Sequence, residues 1–320
     1  MITPPRGRRG ASRIRYEALP TERADPQSRG LDQLSPAEIA TRMNRADRAA
    51  VAAVARAAPA IGRAVELIVR ALSRGGRLIF VGAGTSGRLG MLEAAECPPT
   101  FGTPSTLVQA VIAGGRPAVF RSAEGAEDDA AEGARQIRGR ARAGDVVVGI
   151  AASGVTPFVR AALDMARRRR AATVLVTCNP RIPRRAARVL IALDVGPEVL
   201  AGSTRLKAGT ATKLTLNTLT TAAFAGLGKV YGNRMVDLRP RSAKLRARAI
   251  RLVREIGRVG ETEAARLLRS AQGSAKLAIV MAHLTVGSKE ARWMLKGAAG
   301  SLRTLLEEGD PRASGPGFRG

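Results

Sequence analysis

Residues 77–100 read RLIFVGAGTSGRLGMLEAAECPPT. The apolar run Leu78-Ile79-Phe80-Val81 leads into a loop holding Gly82, Gly84 and Gly87 and the adjacent hydroxyls of Thr85 and Ser86, and an amphipathic segment then runs to a proline pair. The spacing predicts a strand, a tight turn and a helix N-terminus, a geometry that presents backbone N–H groups to an anion. The three glycines also satisfy G-x-G-x-x-G, so the first candidate anion is a dinucleotide. That fingerprint needs a carboxylate about 20 residues on, at the end of the next strand, to hold a ribose hydroxyl. The next strand, expected over 106–113, instead runs into Ala113-Gly114-Gly115. No acid stands there. Thr85 and Ser86 offer hydroxyls suited to phosphate oxygens, so the loop points to a sugar phosphate.

A second loop repeats the pattern. Asp145–Ile150 reads as a buried strand, and Ala151-Ala152-Ser153-Gly154-Val155-Thr156-Pro157 follows it. Pro157 suits the first turn of a helix, so Ser153 and Thr156 flank another helix entrance. Two such turns after parallel strands converge at a switch point if the strands are neighbours. Taken singly, either loop reads equally as an ordinary βα turn with a capping serine.

Working outward, expected strands at about 77–82, 106–113, 145–150, 172–178 and 189–195 alternate with helical segments. This is the rhythm of an α/β fold, an open parallel sheet with helices on both faces. Ser35-Pro36-Ala37-Glu38 resembles an N-cap, a first-turn proline and a capping-box carboxylate, opening a helical stretch that runs with interruptions to Leu72. Lys207 to Leu227 reads as one helix, and about 245–306 as wholly helical. The expected organisation is a disordered basic segment at 1–20, a sugar-phosphate-binding catalytic domain at 21–240, a small helical domain at 241–308 and a flexible tail at 309–320.

The formal net charge of +27 invites a nucleic-acid reading. Of the 53 basic residues, seven are lysines, and the arginines are spread over helix faces. Trp293, Tyr16 and Tyr231 are too scattered for a base-stacking platform, so no specific nucleic-acid partner is expected. Two cysteines, Cys97 and Cys178, make no disulfide framework and suggest a reducing compartment. The N-terminus has no apolar signal segment and no stretch approaches a membrane span. A cytoplasmic protein is expected. No His/Cys/Asp cluster has metal-ligand spacing, no nucleophilic triad is evident, and His283, alone on an apolar helix, reads as structural.

Acids are few, 26 in all, so their placement matters. Glu96 is expected at the C-terminal end of the glycine-loop helix, where the macrodipole disfavours it, with the Pro98-Pro99 pair forcing the chain out of the helix just beyond. Partly desolvated there, it would have a raised pKa and serve as a proton donor; the plain alternative is a solvated or Arg-paired glutamate. Asp128, Asp129 and Glu132 read as partners of a helix dipole, whereas Glu127 follows the Gly125 turn in a loop. Thr204, Arg205 and Lys207 stand before a long helix and suit an anionic ligand, or simply cap it.

Together these stretches resemble one family, the N-acetylmuramic acid 6-phosphate etherases of the sugar-isomerase (SIS) fold. The resemblance rests on TERADPQSRGLDQLSPAEI, GRLIFVGAGTSGRLGMLEAAECPPTFG, VIAGG, AEGAEDD, DVVVGIAASGVTPF, CNP, GPEVLAGSTRLKAGTATKLTLN and GKVYGNRMVD, in that order from Thr21 to Asp237. It implies a lyase that cleaves the D-lactyl ether of N-acetylmuramic acid 6-phosphate by elimination and hydration, with no cofactor or metal. Glu96 then protonates departing lactate and later activates water, and Glu127 is the base at carbon 2. Ser86, Ser153 and Thr156 match phosphate-binding hydroxyls, and Thr85, Thr204 and Arg205 are further ligand contacts. The resemblance also implies a homodimer with its site near the interface. Competing readings are a sugar-phosphate sensor resembling glucokinase regulatory proteins, or a transcription regulator, for which residues 1–60 show no clear helix-turn-helix. Two departures stand out: Val155 where the family has arginine, and Arg241-Ser242 where it has Thr-Asn.

Overall fold

The computed structural model describes residues 19–307 apart from 239 and 241. The expected basic start, except Leu19 and Pro20, and the expected tail lie outside the described residues, as does Arg241.

Among the described residues three single-turn 3₁₀ segments precede helix α1 (Pro36–Arg56), and α2 (Ala58–Ser73) follows after a break at Ala57. The expected capping box opens α1: Ser35 N–H donates to Glu38 Oε2 at 2.8 Å, and Glu38 N–H to Ser35 Oγ at 3.4 Å. Strand β1 (Leu78–Gly82) then leads to α3 (Gly84–Phe101), β2 (Val108–Ile112), the short α4 (Pro117–Phe120) and α5 (Ala130–Arg138). β3 (Val146–Ile150), α6 (Pro157–Arg168), β4 (Ala172–Thr177), β5 (Val189–Ala192) and α7 (Lys207–Gly226) complete the sheet region. A two-strand ribbon, β6 (Val230–Tyr231) and β7 (Arg234–Met235), connects to α8 (Ala243–Gly257), α9 (Glu261–Ser270), α10 (Ala275–Leu284), α11 (Ser288–Gly297) and α12 (Leu302–Glu307).

The five strands are parallel in the order β2-β1-β3-β4-β5. Alternation along them splits the core into two faces, as period-two geometry requires. Leu78, Phe80, Val146, Val148 and Val174 face α1, α2 and α7, with Cys97 and Phe101 of α3 on that side. Ile79, Val81, Val147 and Leu175 face α5 and α6, where Ile137, Phe158 and Leu163 fill the layer. Val155, in place of the family's arginine, packs at the edge of this second layer. A separate apolar cluster from Val236 to Leu305 serves the C-terminal helices. Ser242 caps α8 by accepting from Leu245 N–H at 3.3 Å.

One local expectation fails. α3 does not stop before Pro98-Pro99; both prolines lie inside it and the helix continues to Phe101. It ends at Gly102, whose φ of 64° suits a left-handed cap and whose N–H donates to Pro98 O at 3.0 Å. Tertiary contacts hold the extra turn in place. Phe101 stacks on Phe224 with centroids 4.6 Å apart, and a Cβ at Gly102 would lie 2.0 Å from Asp237 O. These fix the end of the helix more strongly than two missing N–H donors perturb it.

Candidate active site

The switch point lies between β1 and β3, which pair in parallel with Gly82 opposite Ile150. The two hydroxyl-bearing loops therefore leave the sheet side by side at its carboxyl edge, the place where open α/β sheets bind ligands. α3 begins close against β1: a Cβ at Gly82 would lie 2.7 Å from Gly87 N, and one at Gly87 would lie 2.8 Å from Gly82 O. Only two glycines allow the backbones so near.

The helix entrances decide how these loops read. Ser35, Asp129, Ser242 and Ser274 cap their helices through a side chain. At α3 the N-cap position is Ala83, at α6 it is Thr156, and neither makes a side-chain cap. The first-turn N–H groups at both entrances thus lack the internal acceptor that a serine cap supplies. No serine therefore caps either helix, a feature that the entrances of α2, α9 and α11 share. Ser153 Oγ lies 3.5 Å from Thr156 Oγ1 and accepts from Val155 N–H at 3.3 Å. Asn179 secures the second loop by donating from its side-chain amide to Ser153 O at 2.9 Å.

A cleft of about 230 Å³ opens over both entrances, and Thr85, Ser86, Ser153, Thr156, Thr204 and Glu127 line it. Asp128, read from sequence only as a dipole partner, lines it too. Asp129 does cap α5, accepting from Glu132 N–H at 2.8 Å. Glu132 is held below the usual carboxylate range by hydrogen bonds from Arg135 and Gln136. Among the described residues no lysine or arginine lines the cleft, and those that do line it offer an anion helix termini and hydroxyls.

Two expected site residues lie elsewhere. Arg205 is exposed and outside the cleft. The entrance it would have shared is already occupied, because the buried Glu198 carboxylate accepts from Lys207 N–H and Ala208 N–H, each at 2.9 Å. Burial pushes the Glu198 carboxyl up despite those bonds. Glu96 is exposed, so burial within one chain does not desolvate it. It lies ten residues along α3 from Ser86, about 15 Å at 1.5 Å per residue. The buried acid of this helix is Glu93, whose carboxylate accepts from Asn217 Nδ2 at 2.5 Å and from Thr220 Oγ1. Glu93 ties α3 to α7.

Sequence reasoning missed the segment that roofs the cleft. Leu19, Thr21 and Glu22 line it although they precede β1 by over fifty residues. The signal was TERADP, a stretch quoted for the family resemblance and given no site role.

With this geometry in view, the chain can be set beside known proteins. It is 49% identical over 292 residues to an N-acetylmuramic acid 6-phosphate etherase from Picosynechococcus sp., covering 90% of this chain and 97% of that protein. To the etherase of Symbiobacterium thermophilum it is 54% identical, over 82% of this chain and 88% of the relative. The chain belongs to the N-acetylmuramic acid 6-phosphate etherase family. The etherase of Geobacillus thermodenitrificans shows 47% identity across 91% of this chain and 99% of its own length. The description "Glucokinase regulatory protein N-terminal SIS domain" matches a shorter part, residues 60–167. That span holds both loops and Glu127. No helix among the described residues is long and apolar enough to cross a membrane.

Proposed function

We propose that this chain is a lyase that cleaves the D-lactyl ether of N-acetylmuramic acid 6-phosphate, giving N-acetylglucosamine 6-phosphate and D-lactate, in the recycling of cell-wall amino sugar. The observation that carries the reading is the pair of uncapped helix entrances side by side at the β1/β3 switch point, joined by four hydroxyls and faced by Glu127, in a chain of the etherase family.

The phosphate sits at the two entrances, taking hydrogen bonds from first-turn N–H groups and from Thr85, Ser86, Ser153 and Thr156. Thr204 and the turn around it form a further wall. Opening of the sugar ring places an aldehyde beside carbon 2 and makes its proton acidic. Glu127 takes that proton, the carbon 2–carbon 3 double bond forms, and the carbon 3–oxygen bond breaks. The departing lactyl oxygen receives a proton from a second acid. Water then adds at carbon 3 and carbon 2 regains a proton, so the sequence is redox-neutral and needs no metal or nucleotide.

The second acid is Glu96, supplied by a second copy of the chain. Three observations support this. Glu96 is too far along α3 to serve its own cleft; the exposed Leu92 (51%) shares its helix face one turn away; and 230 Å³ falls below the range of about 300–1,000 Å³ usual for enclosing a small ligand. A homodimer packed on this face of α3 completes the site. We place the protein in the cytoplasm, where free buried thiols such as Cys97 and Cys178 persist.

The direct test is incubation of the purified protein with N-acetylmuramic acid 6-phosphate and enzymatic measurement of D-lactate. Release at turnover rates is expected; its absence, with a folded protein that still binds the sugar phosphate, would refute the activity.

A further inference from the structure

The segment before α1 brings a carboxylate to the cleft that the reaction described above does not use. Leu19 and Thr21 are buried (8% and 3% exposed), and Thr21 O accepts from Gly202 N–H at 3.0 Å. Asp25 lies 3.8 Å from Lys207 Nζ, both side chains largely enclosed. Glu22 sits between these two anchors. Thr21 Oγ1 donates to its Oε1 at 3.1 Å. Its Oε2 lies 3.1 Å from where a Cβ on Gly202 would stand, so the carboxylate is laid against the turn after β5. Glu127 enters from the loop after β2, at the other end of the strand order. The two acids, both exposed, line one cleft.

Charge decides what Glu22 can do there. Among the described residues Glu22, Glu127 and Asp128 line the cleft and no cation does. A like charge placed against a phosphate repels it, so Glu22 is no phosphate ligand. An ionised carboxylate only accepts hydrogen bonds, and the part of an amino sugar remote from its phosphate offers O–H and acetamido N–H donors. We propose that Glu22 is a substrate-binding residue whose carboxylate accepts hydrogen bonds from hydroxyl or acetamido groups of the sugar, so that the cleft distinguishes a sugar phosphate from bare phosphate. This rests on the etherase reading for its substrate, and on the anchored strap for its geometry.

The test compares Glu22→Gln and Glu22→Asp with the full-length wild type. N-acetylglucosamine 6-phosphate and inorganic phosphate are titrated separately by calorimetry, and D-lactate release gives kcat and KM. Glu22→Gln should weaken the sugar phosphate roughly tenfold or more, the size of one lost charge-assisted bond. KM should rise more than kcat falls. Inorganic phosphate should bind as well as before or better, because a repelling charge is gone, and Glu22→Asp should recover part of the sugar affinity. Unchanged sugar-phosphate binding in Glu22→Gln overturns the inference. So does an equal loss for both ligands, which is what a loosened strap would produce. If the wild type binds N-acetylglucosamine 6-phosphate yet releases no D-lactate, the etherase reading fails while the two titrations still decide the role of Glu22.

Discussion

At Glu127 the proposed chemistry depends on an acid placed beside the proposed phosphate cradle but not in it. The residue follows Gly125, whose φ of 73° turns the chain, and it lines both the main cleft and a neighbouring cavity beside α4. Arg88 steadies that region by donating to Val119 O at 2.9 Å and Arg121 O at 3.0 Å. A general base contributes about 10²–10⁴ in rate, so Glu127→Gln should lose that much kcat while inorganic phosphate binding, measured by calorimetry, survives. The two thiols behave differently from reactive cysteines. Burial, with Glu93 and Glu96 adding to it, pushes Cys97 up to about 12 from 9.0, and burial, with Glu198 and Asp194, does the same to Cys178. The raised folded value favours the protonated thiol. The stability it contributes is complete below the unfolded value of 9.0 and is lost as the pH climbs toward 12. Thiol labelling at about pH 8 should therefore be negligible in the folded protein and reach both cysteines once it is denatured. Rapid labelling of the native protein would contradict the burial of both.

At the scale of elements, the strand–turn–helix junctions are held by backbone proximity. A Cβ at Gly87 would meet Ile112 Cγ1 at 2.6 Å and Gly82 O at 2.8 Å. The isoleucine can turn away; the carbonyl cannot. Gly87→Ala should cost about 1–3 kcal/mol in urea unfolding and weaken phosphate binding, because α3 must back away from β1 and carry its N–H groups with it. Gly62, an exposed position in α2 with nothing within 4 Å of an added Cβ, is the control: Gly62→Ala should stabilise by about 0.5–1 kcal/mol. These junctions were legible in sequence because their causes are local. Apolar runs make the strands, the glycines mark the turns, and Pro157 marks a helix start. The end of α3 was not legible, since it depends on Gly102 lying against Asp237 and on Phe101 meeting Phe224, contacts more than 120 residues apart in the chain. The position of Arg205 outside the cleft was illegible for the same reason. Nothing near it announces that Glu198 already fills the entrance of α7. Glu22 stayed invisible because its placement rests on one backbone bond to Gly202 and one ion pair to Lys207, both some 180 residues away.

The whole molecule poses a question that a single chain does not answer: how the two acids proposed to be catalytic reach one substrate when Glu127 lines the cleft and Glu96 stands about 15 Å along α3 in solvent. The proposed two-fold dimer would resolve it, because an isologous interface on that face would bring α3 from each copy into contact with the other. Each site then uses Glu127 from one chain and Glu96 from its neighbour. That arrangement has a consequence which separates it from any within-chain alternative. Glu96→Gln and Glu127→Gln homodimers should each be nearly inactive. When the two variants are unfolded together in equal amounts and refolded, half of the dimers are mixed. In a mixed dimer one site receives both substitutions and the other receives neither, so about a quarter of wild-type activity should return, judged by D-lactate release. If each chain instead supplied both acids to its own cleft, every site in the mixture would carry one substitution and no activity would return. Adding Leu92→Arg to both variants should abolish the recovery by breaking the shared helix face, with a halved mass in sedimentation as the accompanying sign.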